Sequence, residues 1–278
     1  MKKLTFSALA LAIAALLQPV ARAGDSEKGL CGDDMFCEAC GDGAVTFDAE
    51  LTFLRYHQSG GVLASDSQPA EFGFDPAPRF VAGYEGCNGL GIRGRYWFFD
   101  HSALTDGGVE YAIDTYNLDV EAYKRVALGC QTSIEVSGGI RYNEFEQSDS
   151  LGLSNGFKGI GGTVGLQGNH RFGNGLGLYA RARWSIVQGD DLLVDAGGFE
   201  NDVLPYLQPD STHSQTEIGI GIDWSRCLAN GAVLTVGVGG EWQQWDEYAV
   251  GRDGYRDGET VLADAAFGGF VAKLGVAY

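Results

Sequence analysis

Apolar and polar residues alternate along most of this chain. In 45–56, Val45, Phe47, Ala49, Leu51 and Phe53 fall on one face, and Thr46, Asp48, Glu50 and Thr52 on the other. Successive side chains of a strand point to opposite faces, so a period of two predicts a strand. The pattern returns in 79–85, 90–99, 112–124, 132–145, 157–170, 176–187, 212–225, 232–244 and 261–278. In 112–124, Tyr116, Leu118, Val120 and Ala122 oppose Thr115, Asn117, Asp119 and Glu121. In 212–225, Ile218, Ile220, Ile222 and Trp224 oppose Glu217, Gly219, Gly221 and Asp223. Repeats of about ten residues, apolar on one face only, mark strands that cross a membrane in a closed barrel.

The segments between these strands alternate in length. Those at 86–89, 125–131, 171–175 and 226–231 are short, and those at 57–78, 101–111, 146–156, 188–211 and 246–260 are longer. A soluble β-sandwich alternates in and out as well, but gives no reason for this rhythm of connections. The expected fold is all-β: a single transmembrane antiparallel β-barrel of about ten strands, with short periplasmic turns and long extracellular loops. Glycine is abundant (43 residues) and proline scarce (6), which suits crowded, tilted strands joined by tight turns.

The two ends of the chain carry targeting signals. Met1-Lys2-Lys3, an apolar run from Leu4 to Val20, and Ala21-Arg22-Ala23 form the n-region, h-region and cleavage site of a secretory signal peptide. Residues 1–23 are thus set aside as signal peptide, 24–43 as a Cys-rich periplasmic segment and 44–278 as the barrel. No later apolar run reaches the roughly 18 residues of a spanning helix, so a membrane location requires the barrel. The final strand, Phe270-Val271-Ala272-Lys273-Leu274-Gly275-Val276-Ala277-Tyr278, alternates strictly and stops on an aromatic. Such an ending resembles the closing strand of a bacterial outer-membrane barrel, where it is read by the barrel-assembly machinery. Outer-membrane lipid and that machinery are the expected partners. The 37 acids against 19 bases exclude a nucleic-acid partner, which needs a basic face.

Four segments carry a family likeness: FDAELTFLRYHQ at 47–58, RFVAGYEGCNGLGIRGRYWFF at 79–99, GGIRYNEFE at 138–146 and FKGIGGTVGLQG at 157–168. Together they resemble the Legionella-type major outer-membrane proteins, a pore-forming family also numerous in planctomycetes. The resemblance implies an outer-membrane barrel that forms a pore, and it carries over no catalytic residue.

The face opposite the apolar one holds the candidate lumen charges: Arg93, Arg95, Arg141, Arg181, Arg183, Glu50, Glu135, Glu217, Asp223 and Glu241. Arg79, Lys273, Asp48, Asp119 and Glu121 share that face. Such charges either line a channel or neutralise one another as a packed network. The second outweighs the first in so narrow a barrel. The expected function is a narrow pore for ions or small solutes. The alternatives are a non-conducting structural or adhesive surface barrel and, less favoured, a protease-like enzyme at the rim using His57, Asp100, His101 and His213.

Six cysteines, Cys31, Cys37, Cys40, Cys87, Cys130 and Cys227, fall before the first strand or in short turns. All map to one rim, in a compartment that permits disulfides. Gly89-Leu90-Gly91-Ile92-Arg93-Gly94 matches a dinucleotide fingerprint, but it opens a strand rather than a helix. Asp190, Asp191, Asp195, Asp253 and Asp257 lack calcium-loop spacing. No cofactor or metal is expected.

Overall fold

The computed structural model describes residues 43–59, 71–105, 107–150, 152–195, 206–229, 231–252 and 260–278. The leader, Cys31, Cys37, Cys40, Asp253 and Asp257 lie outside the described residues. Ten strands follow in order: β1 (Ala44–Ser59), β2 (Asp75–Glu85), β3 (Leu90–Leu104), β4 (Glu110–Ala127), β5 (Thr132–Asp149), β6 (Leu153–Gly173), β7 (Leu176–Asp195), β8 (Tyr206–Cys227), β9 (Val233–Arg252) and β10 (Thr260–Ala277). Each pairs antiparallel with its neighbours in sequence, and β1 pairs with β10, so the sheet is a closed barrel. The seam carries Phe53 opposite Phe270 and Glu50 opposite Lys273. It ends in reciprocal backbone hydrogen bonds between Val45 and Tyr278, at 2.8 and 2.9 Å. Between the two rims no edge is left, so the strands satisfy their backbone within the sheet, as a lipid environment demands.

The alternation in the sequence sorts the walls. Ile220, Val120 and Phe270 are 58, 55 and 65 % exposed on the outer wall, whereas Arg79 and Arg141 are fully buried inside. Tyr96, Tyr116, Tyr142, Trp184 and Trp242 lie on the outer wall towards the extracellular end, and Phe47, Tyr84, Phe172, Trp224 and Tyr278 towards the periplasmic end. These are the two aromatic girdles of a membrane barrel. The β6–β7 turn shows the local logic. Asn174 and Gly175 both have positive φ (50° and 79°), the pair of conformations a two-residue type I′ hairpin needs.

The strands run further outward than the apolar alternation reaches. β5 continues to Asp149 and β6 begins at Leu153, so only 150–152 connect them. The β3–β4 connection, 105–109, is likewise short. Beyond the outer girdle the pattern does not stop but inverts, with aromatic residues turned inward and charged ones outward. Phe145 is buried while its neighbours Glu144 and Glu146 face out.

Candidate functional site

The described strands enclose a lumen, and two layers fill much of it. The first is ionic. Arg141 on β5 grips Asp119 on β4 with two hydrogen bonds, at 2.7 and 2.8 Å, and reaches Glu217 on β8 at 2.7 Å. Arg95 on β3 meets the other oxygen of Glu217 at 2.6 Å. β3 and β8 are five places apart in a ten-strand circuit, so this pair joins opposite walls. Arg181 on β7 clamps Glu50 on β1 at 2.7 and 2.9 Å and shares Glu241 on β9, at 2.5 Å, with Arg79 on β2. Arg79 also holds Glu50 at 2.7 Å. Arg93 bridges Glu121 and Glu135 at 2.8 and 2.5 Å, and Arg183 contacts Glu121. Nearer the periplasm Arg171 binds Asp223 at 2.5 Å.

The lumen candidates read from the sequence therefore come together, and every one has an opposite charge as partner. In a site shut away from water such pairing is required, because a lone buried charge is far costlier than a paired one. Guanidinium suits the role: its planar fork offers several donors and bridges two carboxylates at once.

The second layer, on the extracellular side, is aromatic. Trp97 on β3 and Trp245 on β9 cross edge to face with centroids 5.7 Å apart. Phe267 packs on both, at 5.6 and 5.1 Å, and Phe145 and Phe157 reach Tyr248 from β5 and β6. This layer was not foreseen from the sequence. The signal was present: Arg93, Arg95, Trp97 and Phe99 occupy successive inward positions of one strand.

A strand bend caps this layer. Trp245 pairs with Ala265 and Ala249 with Ala263, so three β9 residues stand opposite Asp264 alone. Glu247 takes a positive φ of 61° at this bulge. The described β8–β9 ladder ends at Ser214–Asp246. Beyond it the β9 edge turns over the lumen, and far-wall side chains take the place of a neighbouring strand. Gln147 bonds both the N–H and the carbonyl of Val250, at 3.0 and 2.8 Å, Gln58 donates to the same carbonyl at 3.1 Å, and Asn155 donates to the Tyr248 carbonyl at 3.0 Å. A strand edge left without partners would be costly, and these amides satisfy it.

On the periplasmic side of the ionic layer the lumen keeps a small polar recess, walled by Asp48, Arg93, Glu135, Gln167, Arg181, Arg183 and Lys273 among others. Gly165 lies on its wall, where a Cβ would meet the Ser137 hydroxyl at 2.5 Å. Beside the recess, the Tyr179 ring lies flat over Gly221, where a Cβ would sit 2.6 Å from it, and Tyr123 lies over Gly91 in the same way.

The rim residues do not form one site. His57 stacks outside on Trp242 at 6.1 Å, and Asp100 faces outward opposite Asp114. His101 pairs with Asp75 at 3.1 Å. His213 pairs with Asp191 at 3.1 Å between Phe157 and Tyr248. Cys87 and Cys130 sit in periplasmic turns and Cys227 ends β8.

The fold resembles solved outer-membrane barrels. One is the outer membrane protease OmpT from Escherichia coli, with a TM-score of 0.51 and 12 % identity, covering 84 % of this chain and 96 % of that one. Another is the translocator domain of the autotransporter NalP from Neisseria meningitidis, at 0.49 and 14 %, covering 99 % and 97 %. No curated protein sequence matches the chain. The family model of the Legionella pneumophila major outer membrane protein precursor matches residues 101–275, well over half of the sequence. The chain therefore belongs to that outer-membrane protein family.

Proposed function

We propose that this protein is a sealed outer-membrane barrel, a non-enzymatic structural or surface protein rather than an open channel. The Arg95–Glu217 pair, which spans the lumen between opposite walls at 2.6 Å, is the observation that carries this reading. Planar-bilayer recording tests it: the reconstituted protein should leave the bilayer silent, and steady stepwise currents would overturn it. The histidines of the rim stand on separate partners, and purified protein should not cleave peptides.

The periplasmic recess favours a second reading, a narrow pore for ions or small solutes gated by the layers above it. In that case Arg93→Ser and Arg183→Ser should shift the reversal potential of the open state, because rings of charge set ion preference. In a sealed barrel the same changes should lower stability only.

Three further expectations belong to this reading. The leader is removed near Gly24, as N-terminal sequencing would show. The strand ending in Tyr278 engages the assembly machinery, so removing Tyr278 should slow membrane insertion in cells. The cysteines form disulfides at the periplasmic rim. Non-reducing peptide mapping should join one of Cys31, Cys37 and Cys40 to Cys87, Cys130 or Cys227. Six free thiols in protein from the native membrane would remove that idea.

A further inference from the structure

The ionic layer is balanced in sum but not at its surface. Towards the periplasmic recess it turns its cations. The side chains of Arg181, Arg93, Arg183 and Lys273 are 22, 17, 12 and 21 % exposed. Their acid partners Glu50, Glu135, Glu121 and Glu241 are 4, 2, 0 and 1 % exposed. Asp48, at 28 %, is the exception, and Lys273 already holds it at 3.3 Å. The carboxylates are thus withdrawn behind the guanidinium groups that neutralise them. The recess wall carries Asp48, Glu50, Glu135 and Glu217 beside Arg79, Arg93, Arg95, Arg181, Arg183 and Lys273; Asp48 apart, the charged groups that reach furthest into it are N–H donors. The donors are braced as well: Arg93 lies 4.9 Å over the Tyr123 ring and Arg181 6.0 Å over that of Tyr179. Fixed donors lose little freedom on binding, which is the condition for a pre-formed anion site.

We infer that the periplasmic recess is a closed-ended binding site for a phosphate-sized oxyanion. It holds the anion between Arg93, Arg181, Arg183 and Lys273. Free phosphate and the phosphomonoester end of a larger molecule present the same oxyanion. The net charge of −18 does not forbid this. At physiological salt exposed charges farther than about 8 Å are screened, leaving the local cations to decide. Binding here requires no opening of the aromatic layer, so it is independent of whether the barrel conducts.

The test uses the full chain in non-ionic detergent at low ionic strength. Inorganic phosphate and glycerol 3-phosphate are titrated by calorimetry and by phosphorus NMR. Saturable binding that weakens with added salt is expected. Among the described residues Gln167, half-buried on the recess wall, donates to Asn169 at 3.1 Å. Gln167→Glu puts a carboxylate beside the anion without breaking an ion pair and should weaken binding about tenfold or more. Lys273→Met removes one of the two most accessible cations and should weaken it in the same direction. Circular dichroism and heat-dependent gel mobility establish that both variants are folded. Binding of both ligands identifies the phosphate group wherever it is carried, and binding of phosphate alone identifies the free ion. Absence of saturable binding to folded wild-type protein overturns the inference. So does affinity unchanged in Gln167→Glu.

Discussion

On the periplasmic half of the barrel the outer wall is apolar and the inner wall charged; on the extracellular half the order is reversed. β3 passes through both regimes, with Arg93 and Arg95 inward beside Ile92 and Tyr96 outward, then Trp97 and Phe99 inward beside Asp100 outward. β5 does the same, from Arg141 inward to Phe145 inward. The solvent outside explains the switch. Where the wall faces lipid, moving an apolar side chain inward gains nothing, since lipid is as apolar as any core. That half is filled by paired charges, whose geometry specifies the register. Where the wall faces water, the hydrophobic effect is restored, and the same ten strands enclose an aromatic core like that of a soluble barrel.

The comparison breaks most sharply if one charge is removed from the lower layer. Arg141→Leu takes from buried Asp119 its two short bonds, leaving it Arg95 at 3.4 Å and Arg183 at 3.7 Å, and leaves Glu217 to Arg95; it should cost up to about 3–5 kcal/mol. Denaturant unfolding in lipid vesicles measures it. The double variant Arg141→Leu with Asp119→Leu should recover part of the loss, because both members of a pair then leave together. If the single change were neutral, the network would not hold the lower half. In the upper layer Trp245→Ala removes a ring packed on Trp97, Phe145, Tyr248 and Phe267, and should also cost about 3–5 kcal/mol, from packing instead of charge. No added charge-neutralising change should rescue it. Its surface loops should become easier to proteolyse in intact cells, while the strands in lipid stay protected.

The outer walls of the two halves can be contrasted as well. Ile220→Arg places a charge on the lipid-facing wall, at a cost of about 2–4 kcal/mol near the midplane. Arg55 and His57 already face outward above the girdle, and Arg55→Leu should be tolerated in the same refolding assay. Equal tolerance of both would misplace the membrane boundary.

How far the sequence could be read follows from the same inversion. The ten strands and the face that holds the charges follow from period two, because a strand cannot change which residues share a face without a bulge, and the closed order follows once the rhythm of connection lengths is added. The strand ends did not follow. The outward apolar residues give out near 145 and 157, whereas inward Phe145 and Phe157 carry the alternation on into water, to Asp149 and back to Leu153. The pairing of charges was only a choice between two states, because which walls meet depends on a circuit that spacing does not encode. For the same reason the cost of losing Arg183 is invisible in the sequence: it contacts the fully buried Glu121, so Arg183→Leu should be costly. The β9 bend was hidden too. Nothing about Glu247 as a residue type announces a positive φ.

The smallest expected effect lies on the outer wall of the upper half, where Asp100, Asp114 and Glu146 stand directly opposite one another on adjacent strands. Like charges in such a row repel. Partial burial, then Asp100, Glu146 and Glu144, raises the Asp114 carboxyl above its ordinary range. Lys158 relieves the row only at its edge, bonding Glu144 at 2.5 Å and Glu146 at 3.3 Å. A carboxyl raised in the folded state binds its proton more readily there than in the unfolded chain. Stability should therefore rise slightly as pH falls from neutral towards that raised value, the reverse of what a salt-bridged acid gives. Asp114→Asn should stabilise the protein at neutral pH by about 0.2–1 kcal/mol and flatten that rise. High salt should shrink the difference between wild type and variant, because these charges are exposed to water. The Arg141 network, shut inside the barrel, should show little of that salt dependence. A variant less stable than wild type at neutral pH would mean that the row is held by contacts other than its own repelling charges.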